Sequence, residues 1–163
     1  MDSRIVQKFT LLLKVKGRLF MKRIGILTSG GDCQGLNAAI RGVCKTLYNH
    51  YKKDEIEIYG IIDGYRGLIT GEYRLMKPED FSGILTRGGT ILGTSRQPFK
   101  LMRVIDEENN VDKVAAMKAN YKKMKLDCLV ILGGNGTQKS ANMLSQEVLN
   151  VVSLPKTIDN DLW

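Results

Sequence analysis

The sequence predicts an α/β fold in which helices cover both faces of a mainly parallel β-sheet, giving a three-layer sandwich. Short apolar runs rich in β-formers alternate with segments whose apolar residues recur at helical spacing. This alternation favours β-α-β units. Two apolar runs end in glycine-rich segments, and a third ends in a segment with two aspartates. Because ligands gather at the carboxyl ends of parallel strands, the pattern also predicts one functional site at one edge of the sheet.

The first half of the chain is predicted to hold two strands and two helices. Residues 23–28 are short, apolar and β-rich, and residues 55–63 alternate before turning apolar, so both read as strands. Between them, residues 36–48 repeat apolar side chains at helical spacing. Three glycines within residues 64–71 predict a loop. A proline in the first turn predicts a short helix over residues 78–85.

The second half continues the alternation. Residues 87–96 are expected to form a glycine-rich loop around a brief strand. An amphipathic helix is predicted over residues 111–125 because apolar residues recur there at steps of three and four. Residues 128–132 are a buried strand by the same criteria, followed by a helix over residues 138–147 and a strand over residues 148–153.

Length and composition fit one domain with a real core, since the chain has 163 residues of which 43% are hydrophobic. We assign residues 21–163 to that domain and expect residues 1–20 to be a poorly ordered basic extension. That extension carries five basic residues against one aspartate, which is half of the formal net charge of +8. The sequence has no arginine-rich tract of the kind that binds nucleic acid, and no apolar run approaches the ~20 residues needed to cross a membrane. Neither nucleic acid nor a membrane is therefore an expected partner.

Cysteine usage favours a reducing, cytoplasmic setting. The three cysteines form no C-x-x-C pair, and their number is odd. A disulfide framework or a zinc site is therefore not expected.

Two glycine-rich segments could cradle phosphate. Residues 30–37 read GGDCQGLN and residues 133–137 read GGNGT. Glycines let backbone N–H groups approach an anion, and the following helix N-terminus favours negative charge. The first segment is neither a G-x-G-x-x-G fingerprint nor a Walker A loop, and it could equally be a plain tight turn. Thr137 could cap the next helix or donate to a phosphate.

The last segment places two carboxylates two residues apart. In extended backbone Asp159 and Asp161 point the same way, so one could accept a hydroxyl proton while the other orients it or holds Mg²⁺. The alternative is a solvated acidic turn. The positive charge of Lys156 would favour the ionised form of a nearby aspartate, and its ammonium group could contact phosphate. Alternatively, Lys156 is an ordinary surface lysine. Arg96 suits phosphate oxygens through its rigid fork of donors, or lies free on the surface.

Together these segments resemble the phosphofructokinase family over residues 22–163. The four matching motifs, in order, are KRIGILTSGGDCQGLNAAIRG, RGGTILGTSR, GGNGT and PKTIDND. The resemblance implies transfer of the γ-phosphoryl group of ATP to the 1-hydroxyl of fructose 6-phosphate, with Mg²⁺ as the metal. It makes residues 21–163 a nucleotide-binding domain whose second, substrate-binding domain is absent.

The resemblance also implies roles for individual residues. Asp159 would be the general base, assisted by Asp161, and Thr157 and Lys156 would contact the sugar substrate or the moving phosphoryl group. Arg41 matches an arginine of an effector site. The residues implied for ATP are Gly31, Tyr65, Arg96, Gly134, Asn135, Gly136 and Thr137.

Two positions bear on donor and metal. Gly136 stands where relatives that use pyrophosphate tend to carry an aspartate, which favours ATP, whereas Lys156 is shared with pyrophosphate users. Asn135 replaces the usual metal-engaging aspartate, so weaker Mg²⁺ binding is expected because an amide brings no charge. A pyrophosphate-dependent phosphofructokinase and another kinase with a similar glycine loop stay as alternatives.

The resemblance covers only the N-terminal part of the family's chain, and this lowers the activity that we expect. The resemblance implies a homo-oligomeric full-length enzyme whose second domain binds fructose 6-phosphate. We expect little or no turnover from this chain alone, because phosphoryl transfer depends on positioning and charge stabilisation by the whole site. The remaining alternative is a non-catalytic nucleotide-binding fragment, which could assemble with a separately encoded C-terminal half.

Overall fold

A computed structural model describes residues 21–105 and 112–160 of the chain. The predicted extension over residues 1–20 and the candidate site residue Asp161 lie outside the described residues.

The described residues form a five-stranded sheet with the order β3-β2-β1-β4-β5. Neighbouring strands run parallel, except that β3 is antiparallel to β2. The α/β class and the mainly parallel sheet are therefore confirmed. The strands are β1 (Lys22–Ser29), β2 (Ile56–Ile61), β3 (Tyr73–Met76), β4 (Cys128–Gly133) and β5 (Val151–Pro155).

Within the described residues, four α-helices and two short 3-10 helices connect the strands. The α-helices are α1 (Gly35–His50), α2 (Tyr65–Thr70), α3 (Lys113–Lys123) and α4 (Asn135–Gln146), and the 3-10 helices are Pro78–Phe81 and Phe99–Leu101. No helix in the described ranges is both long and apolar enough for a membrane span.

The core lies in two layers, one on each face of the sheet. Along β4, Leu129 and Ile131 join a cluster with residues of α2, α3 and α4. The alternate residues, Val130 and Leu132, join a second cluster with α1 and the loop beyond β3. Successive strand side chains point to opposite faces, so a strand covered on both sides reads as one continuous apolar run. The predicted three-layer sandwich is thus confirmed.

Three local predictions were wrong, and one strand was missed. The stretch predicted as a loop forms helix α2, because its glycines permit close packing: a Cβ at Gly67 would collide with the carbonyl of Ile62. The chain then turns into β3, an edge strand that the sequence analysis missed. The brief strand expected within residues 87–96 is absent from the structure, and the helix expected over residues 78–85 is one 3-10 turn.

The strand order creates a crevice between β1 and β4. From β1 the chain moves outward to β2 on one side, and it later returns to place β4 on the other side. Where strand order reverses in this way, the loops at the carboxyl ends diverge and leave room for a ligand. The loops after β1 and β4 are the two glycine-rich segments.

Candidate functional site

A cleft of about 310 Å³ opens at this crevice, and it brings the predicted segments together. Four parts of the chain contribute to it: the loop after β1, the N-terminus of α4, the loop over residues 87–96 with its neighbours (the arginine loop) and the start of the segment over residues 155–161 (the last segment). The lining residues are Ser29, Gly30, Gly31, Arg96, Gln97, Pro98, Phe99, Gly134, Asn135, Gly136, Thr137 and Lys156.

In the first glycine turn, Gly30 is hydrogen-bonded to the rest of the fold and Gly31 faces the cleft. Gly30, with φ of 86°, donates its N–H to the carbonyl of Ser95 at 3.1 Å. Its own carbonyl accepts from the hydroxyl of Thr94 at 2.6 Å. Gly31 follows, and a Cβ there would lie 3.5 Å from Lys156 Nζ. Gly30 therefore anchors the turn, while Gly31 brings bare backbone beside a cation.

The second glycine turn exposes a helix N-terminus to the cleft. Gly134 is the N-cap of α4, and neither a side-chain cap nor an acidic residue occupies the first turn. A Cβ at Gly136 would meet nothing within 4 Å. The free N–H groups and the positive end of the helix dipole thus face open space, an arrangement that favours anions.

Thr137 and Tyr65 hold this helix start in place from behind. Thr137 is buried, is not the N-cap, and donates its hydroxyl to the carbonyl of Ser29 at 3.3 Å. Tyr65 is fully buried and donates to the carbonyl of Thr137 at 2.9 Å. Burial raises the pKa of the Tyr65 phenol, so it stays a hydrogen-bond donor. Tyr65 offers no surface to a ligand, which differs from the direct contact that the resemblance implies.

The arginine loop is fastened to the ends of β1 and β2. Thr28 donates to the carbonyl of Gly93 at 2.7 Å, and Ser95 donates to the carbonyl of Asp63 at 2.6 Å. Arg96 follows directly and is exposed at the cleft. Within the described ranges it forms no ion pair. A fixed backbone with a free guanidinium suits the recognition of phosphate.

Asn37, which the sequence analysis missed, ties the beginning of the same loop to α1. Its amide nitrogen donates to the carbonyls of Arg87 at 3.1 Å and Gly89 at 2.7 Å. Its amide oxygen accepts from the N–H of Ile91 at 3.0 Å. Asn37 is only 4% exposed. A polar residue in helical register with buried Ile40 was the available signal.

Replacing Asn37 with alanine should loosen the arginine loop. The change leaves two carbonyls and one N–H without partners, a cost of about 2–3 kcal/mol in the free energy of unfolding. Thermal denaturation should show a midpoint lower by roughly 5–10 °C. Trypsin should also cleave faster after Arg87. Asn49→Ala, at an exposed position of α1, is the matched control; equal melting of the two variants would contradict the assignment.

The last segment is joined to the second glycine turn. Lys156 donates its backbone N–H to the carbonyl of Gly133 at 2.9 Å. Gln138 bridges the same carbonyl and that of Leu154, at 2.9 and 3.1 Å. Thr157 lines a second cleft of about 320 Å³ that shares Lys156 with the first. Asp159 is exposed and lines neither cleft.

The electrostatics of the first cleft are one-sided. Its lining holds two cations, Arg96 and Lys156, and no acidic residue. Among the residues that the structure describes, no group of three or more His, Cys, Asp or Glu could hold a metal ion.

Asn135, the predicted metal contact, is exposed at the first position of α4. Arg41, the predicted effector contact, lies on α1 and donates to the carbonyl of Phe81 at 2.6 Å.

Known proteins are similar in sequence to most of this chain. The ATP-dependent 6-phosphofructokinase of Spirochaeta thermophila is 61% identical over 144 residues, which is 87% of this chain and 38% of that protein. ATP-dependent 6-phosphofructokinase 3 of Bacteroides thetaiotaomicron is 53% identical over 142 residues, which is 86% of this chain and 40% of that protein. The chain therefore spans about two fifths of the length of the curated relatives it matches.

Solved structures share the fold. Phosphofructokinase from Saccharomyces cerevisiae aligns with a TM-score of 0.69 at 29% identity, covering 86% of this chain and 20% of that one. Pyrophosphate-dependent phosphofructokinase from Marinobacter aquaeolei aligns with a TM-score of 0.71 at 21% identity, covering 86% and 35%, and this likeness speaks for the fold alone. The family profile described as Phosphofructokinase matches residues 23–163. The chain belongs to the phosphofructokinase family.

Proposed function

We propose that this chain forms the phosphoryl-donor part of an ATP-dependent 6-phosphofructokinase. The whole enzyme transfers the γ-phosphoryl group of ATP to the 1-hydroxyl of fructose 6-phosphate, giving fructose 1,6-bisphosphate, the glycolytic reaction of the cytoplasm. The observation that carries the proposal is the cleft at the crevice between β1 and β4. It combines an open helix N-terminus, two cations and no acidic side chain.

The cleft residues divide the work of holding a triphosphate. The N–H groups at the start of α4 and the bare backbone at Gly31 approach phosphate oxygens closely, since no Cβ intervenes. Arg96 supplies a planar fork of donors, and Lys156 supplies a point charge. Transition states for phosphoryl transfer spread negative charge over the moving group, so fixed donors of this kind stabilise it.

ATP is favoured over pyrophosphate as the donor. The space beside Gly136 is open, so a phosphate that continues into a nucleoside has room there. Asn135 and Thr137 flank this position in the first turn of α4, and Gly134 caps it. The two relatives of highest identity cited above are named ATP-dependent enzymes.

The last segment would serve the acceptor sugar. Asp159 accepts the proton of the 1-hydroxyl as the hydroxyl oxygen attacks the γ-phosphorus of ATP, the bond from that phosphorus to the bridging oxygen of the β-phosphate breaks, and ADP leaves. Asp161 assists at the same centre. Thr157 and Lys156 bind the sugar or the moving phosphoryl group from the second cleft. An exposed Asp159 fits a site that closes only when the sugar-binding part of the enzyme is present.

Mg²⁺ fits the donor chemistry of the site in a limited way. It prefers one or two carboxylates together with substrate phosphates. Asn135 offers an amide oxygen in the first turn of α4, and bound Mg²⁺ would neutralise phosphate charge. The described residues thus suit a metal that arrives with the nucleotide. Arg41 takes no part in this donor chemistry, and its proposed role is to bind an effector.

The short span relative to the family supports a second candidate, a nucleotide-binding part without turnover of its own. The chain matches 38% and 40% of its two cited relatives. The sugar-binding groups of the whole enzyme would then come from a further segment or a separate chain, within a homo-oligomer.

One experiment separates these candidates. Calorimetric titration of the 163-residue chain with ATP should show binding, and a coupled assay with fructose 6-phosphate should test turnover with ATP and with pyrophosphate. ATP binding without turnover supports the second candidate. Turnover with pyrophosphate alone would contradict the proposed donor, and turnover that survives Asp159→Asn would remove Asp159 as the base. A chain that binds no phosphate ligand would contradict both candidates.

A further inference from the structure

Gln138 joins the ends of two strands beside the phosphate cleft. It is the fourth residue of α4, is half-buried, and lines neither cleft. Its amide nitrogen donates to the carbonyl of Gly133, which ends β4, at 2.9 Å and to the carbonyl of Leu154 in β5 at 3.1 Å. A side-chain amide has two N–H donors, so one residue satisfies both carbonyls. No step of the proposed phosphoryl transfer involves this side chain directly.

The bridge acts at a point where β5 lacks a donor of its own. Among the described residues, β5 is the last strand on its side of the sheet and pairs with β4. Its final residue, Pro155, lies opposite Gly133 but has no N–H for the ladder. The next backbone donor belongs to Lys156, and it reaches the same Gly133 carbonyl at 2.9 Å. The Gln138 amide and this N–H therefore fix the place where the chain leaves the sheet.

The ammonium group of Lys156 depends on that place. Lys156 lines both clefts, and a Cβ at Gly31 would lie 3.5 Å from its Nζ. A lysine carries its charge on a flexible four-carbon stem, so the backbone must be held if the charge is to stay beside a phosphate. The attraction between the ammonium and a phosphate falls as the distance between them grows.

We propose that Gln138 is a positioning residue that holds Lys156 at the phosphate cleft. By bridging β4 and β5 from α4, it keeps the start of the last segment beside the N-terminus of that helix. The lysine charge and the helix dipole then act on the same phosphates. This inference rests on the proposed function, because it assigns the side chain that aligns two parts of the same donor site.

A double-mutant cycle with ATP tests whether Gln138 acts through Lys156. Gln138→Met keeps the length and helix propensity of glutamine and removes both donors. Calorimetric titration of the full chain should show an ATP affinity lower by about 3- to 10-fold. In a Lys156→Ala background the same change should alter the affinity by less than about twofold. Equal losses in both backgrounds would mean that Gln138 supports the fold or the start of α4, and would overturn its role toward Lys156.

Trypsin cleavage between Lys156 and Thr157 gives a second readout that needs no ligand. Without the bridge this part of the chain should open more often, so cleavage in Gln138→Met should be about 3- to 10-fold faster, as measured by mass spectrometry of the released peptide. Gln146→Met is the matched control, since it makes the same substitution at an exposed position of the same helix. It should change neither the cleavage rate nor the affinity for ATP.

The outcomes separate this inference from the proposed function. Normal ATP binding by Gln138→Met, or cleavage no faster than in Gln146→Met, would overturn the role of Gln138 and leave the phosphate cleft intact. A wild-type chain that binds no ATP would overturn the proposed function and the role of Gln138 toward phosphate together. The cleavage rates would then still decide whether Gln138 holds the backbone of Lys156.

Discussion

Replacing Gly136 with aspartate should reduce the affinity for ATP by at least roughly 100-fold while leaving the fold as stable as before. Gly136 lies in the first turn of α4, and a side chain there has open space. The new carboxylate would stand at the helix N-terminus where the proposed phosphate binds. Two like charges about 4 Å apart repel by about 4 kcal/mol near a protein surface, which exceeds what this loss requires.

The stability of the same variant should move in the opposite direction. Aspartate in the first turn of a helix is favourable by about 0.3–1 kcal/mol, because it interacts with the helix dipole. Thermal denaturation should therefore show an unchanged or slightly higher midpoint. Loss of binding without loss of stability cannot be explained by misfolding, so the pair of measurements locates the anion at this helix.

Gly136→Asn provides the matched control, since it has nearly the same shape and no charge. Calorimetric titration should find ATP affinity much closer to that of the wild type than in Gly136→Asp. If both variants lose the same affinity, the space at Gly136 matters and the charge does not. If Gly136→Asp binds ATP normally, no phosphate lies at the start of α4 and the proposed donor site is wrong.

The main elements of the fold were readable because each depends on local chemistry. Strands β1 and β4 are buried on both faces, so they appear as continuous apolar runs, and α1 carries its buried face at helical spacing. Strand β3 was missed because it is only four residues long and exposes three of them. Helix α2 was missed because Gly67 was taken as a loop signal, whereas its missing side chain lets the helix pack against the carbonyls of Ile62 and Glu72.

In the candidate site, too, the features that depend on local sequence were predicted and those that depend on tertiary contacts were not. The glycine turns were predicted from strand ends, since glycine next to an apolar run signals close backbone approach. The partners of Asn37 lie 50 or more residues away along the chain, so its role depends on the tertiary fold. Tyr65 illustrates the limit of a matched motif: the residue type agrees, but in this structure its ring is fully buried.

Replacing Gly133 with alanine should destabilise the domain by about 2–4 kcal/mol. Gly133 is the last residue of β4 and pairs with Ser29 of β1. A Cβ there would come within 2.6 Å of the Ser29 carbonyl and 2.5 Å of Thr137 Cγ2. The Ser29 carbonyl belongs to the paired backbone of β1 and cannot move aside. The two strand ends must therefore separate, which also withdraws the carbonyl that accepts from Lys156 and Gln138.

Thermal denaturation measures this effect, with an expected fall in the midpoint of roughly 5–15 °C. Gly136→Ala is the control three residues away, where the added methyl meets nothing within 4 Å and alanine is the better helix former. It should melt at or above the wild-type temperature. If Gly133→Ala melts like Gly136→Ala, the ends of β1 and β4 are not in close contact. The crevice that positions both glycine turns would then lack its structural basis, because their approach depends on the missing side chain at Gly133.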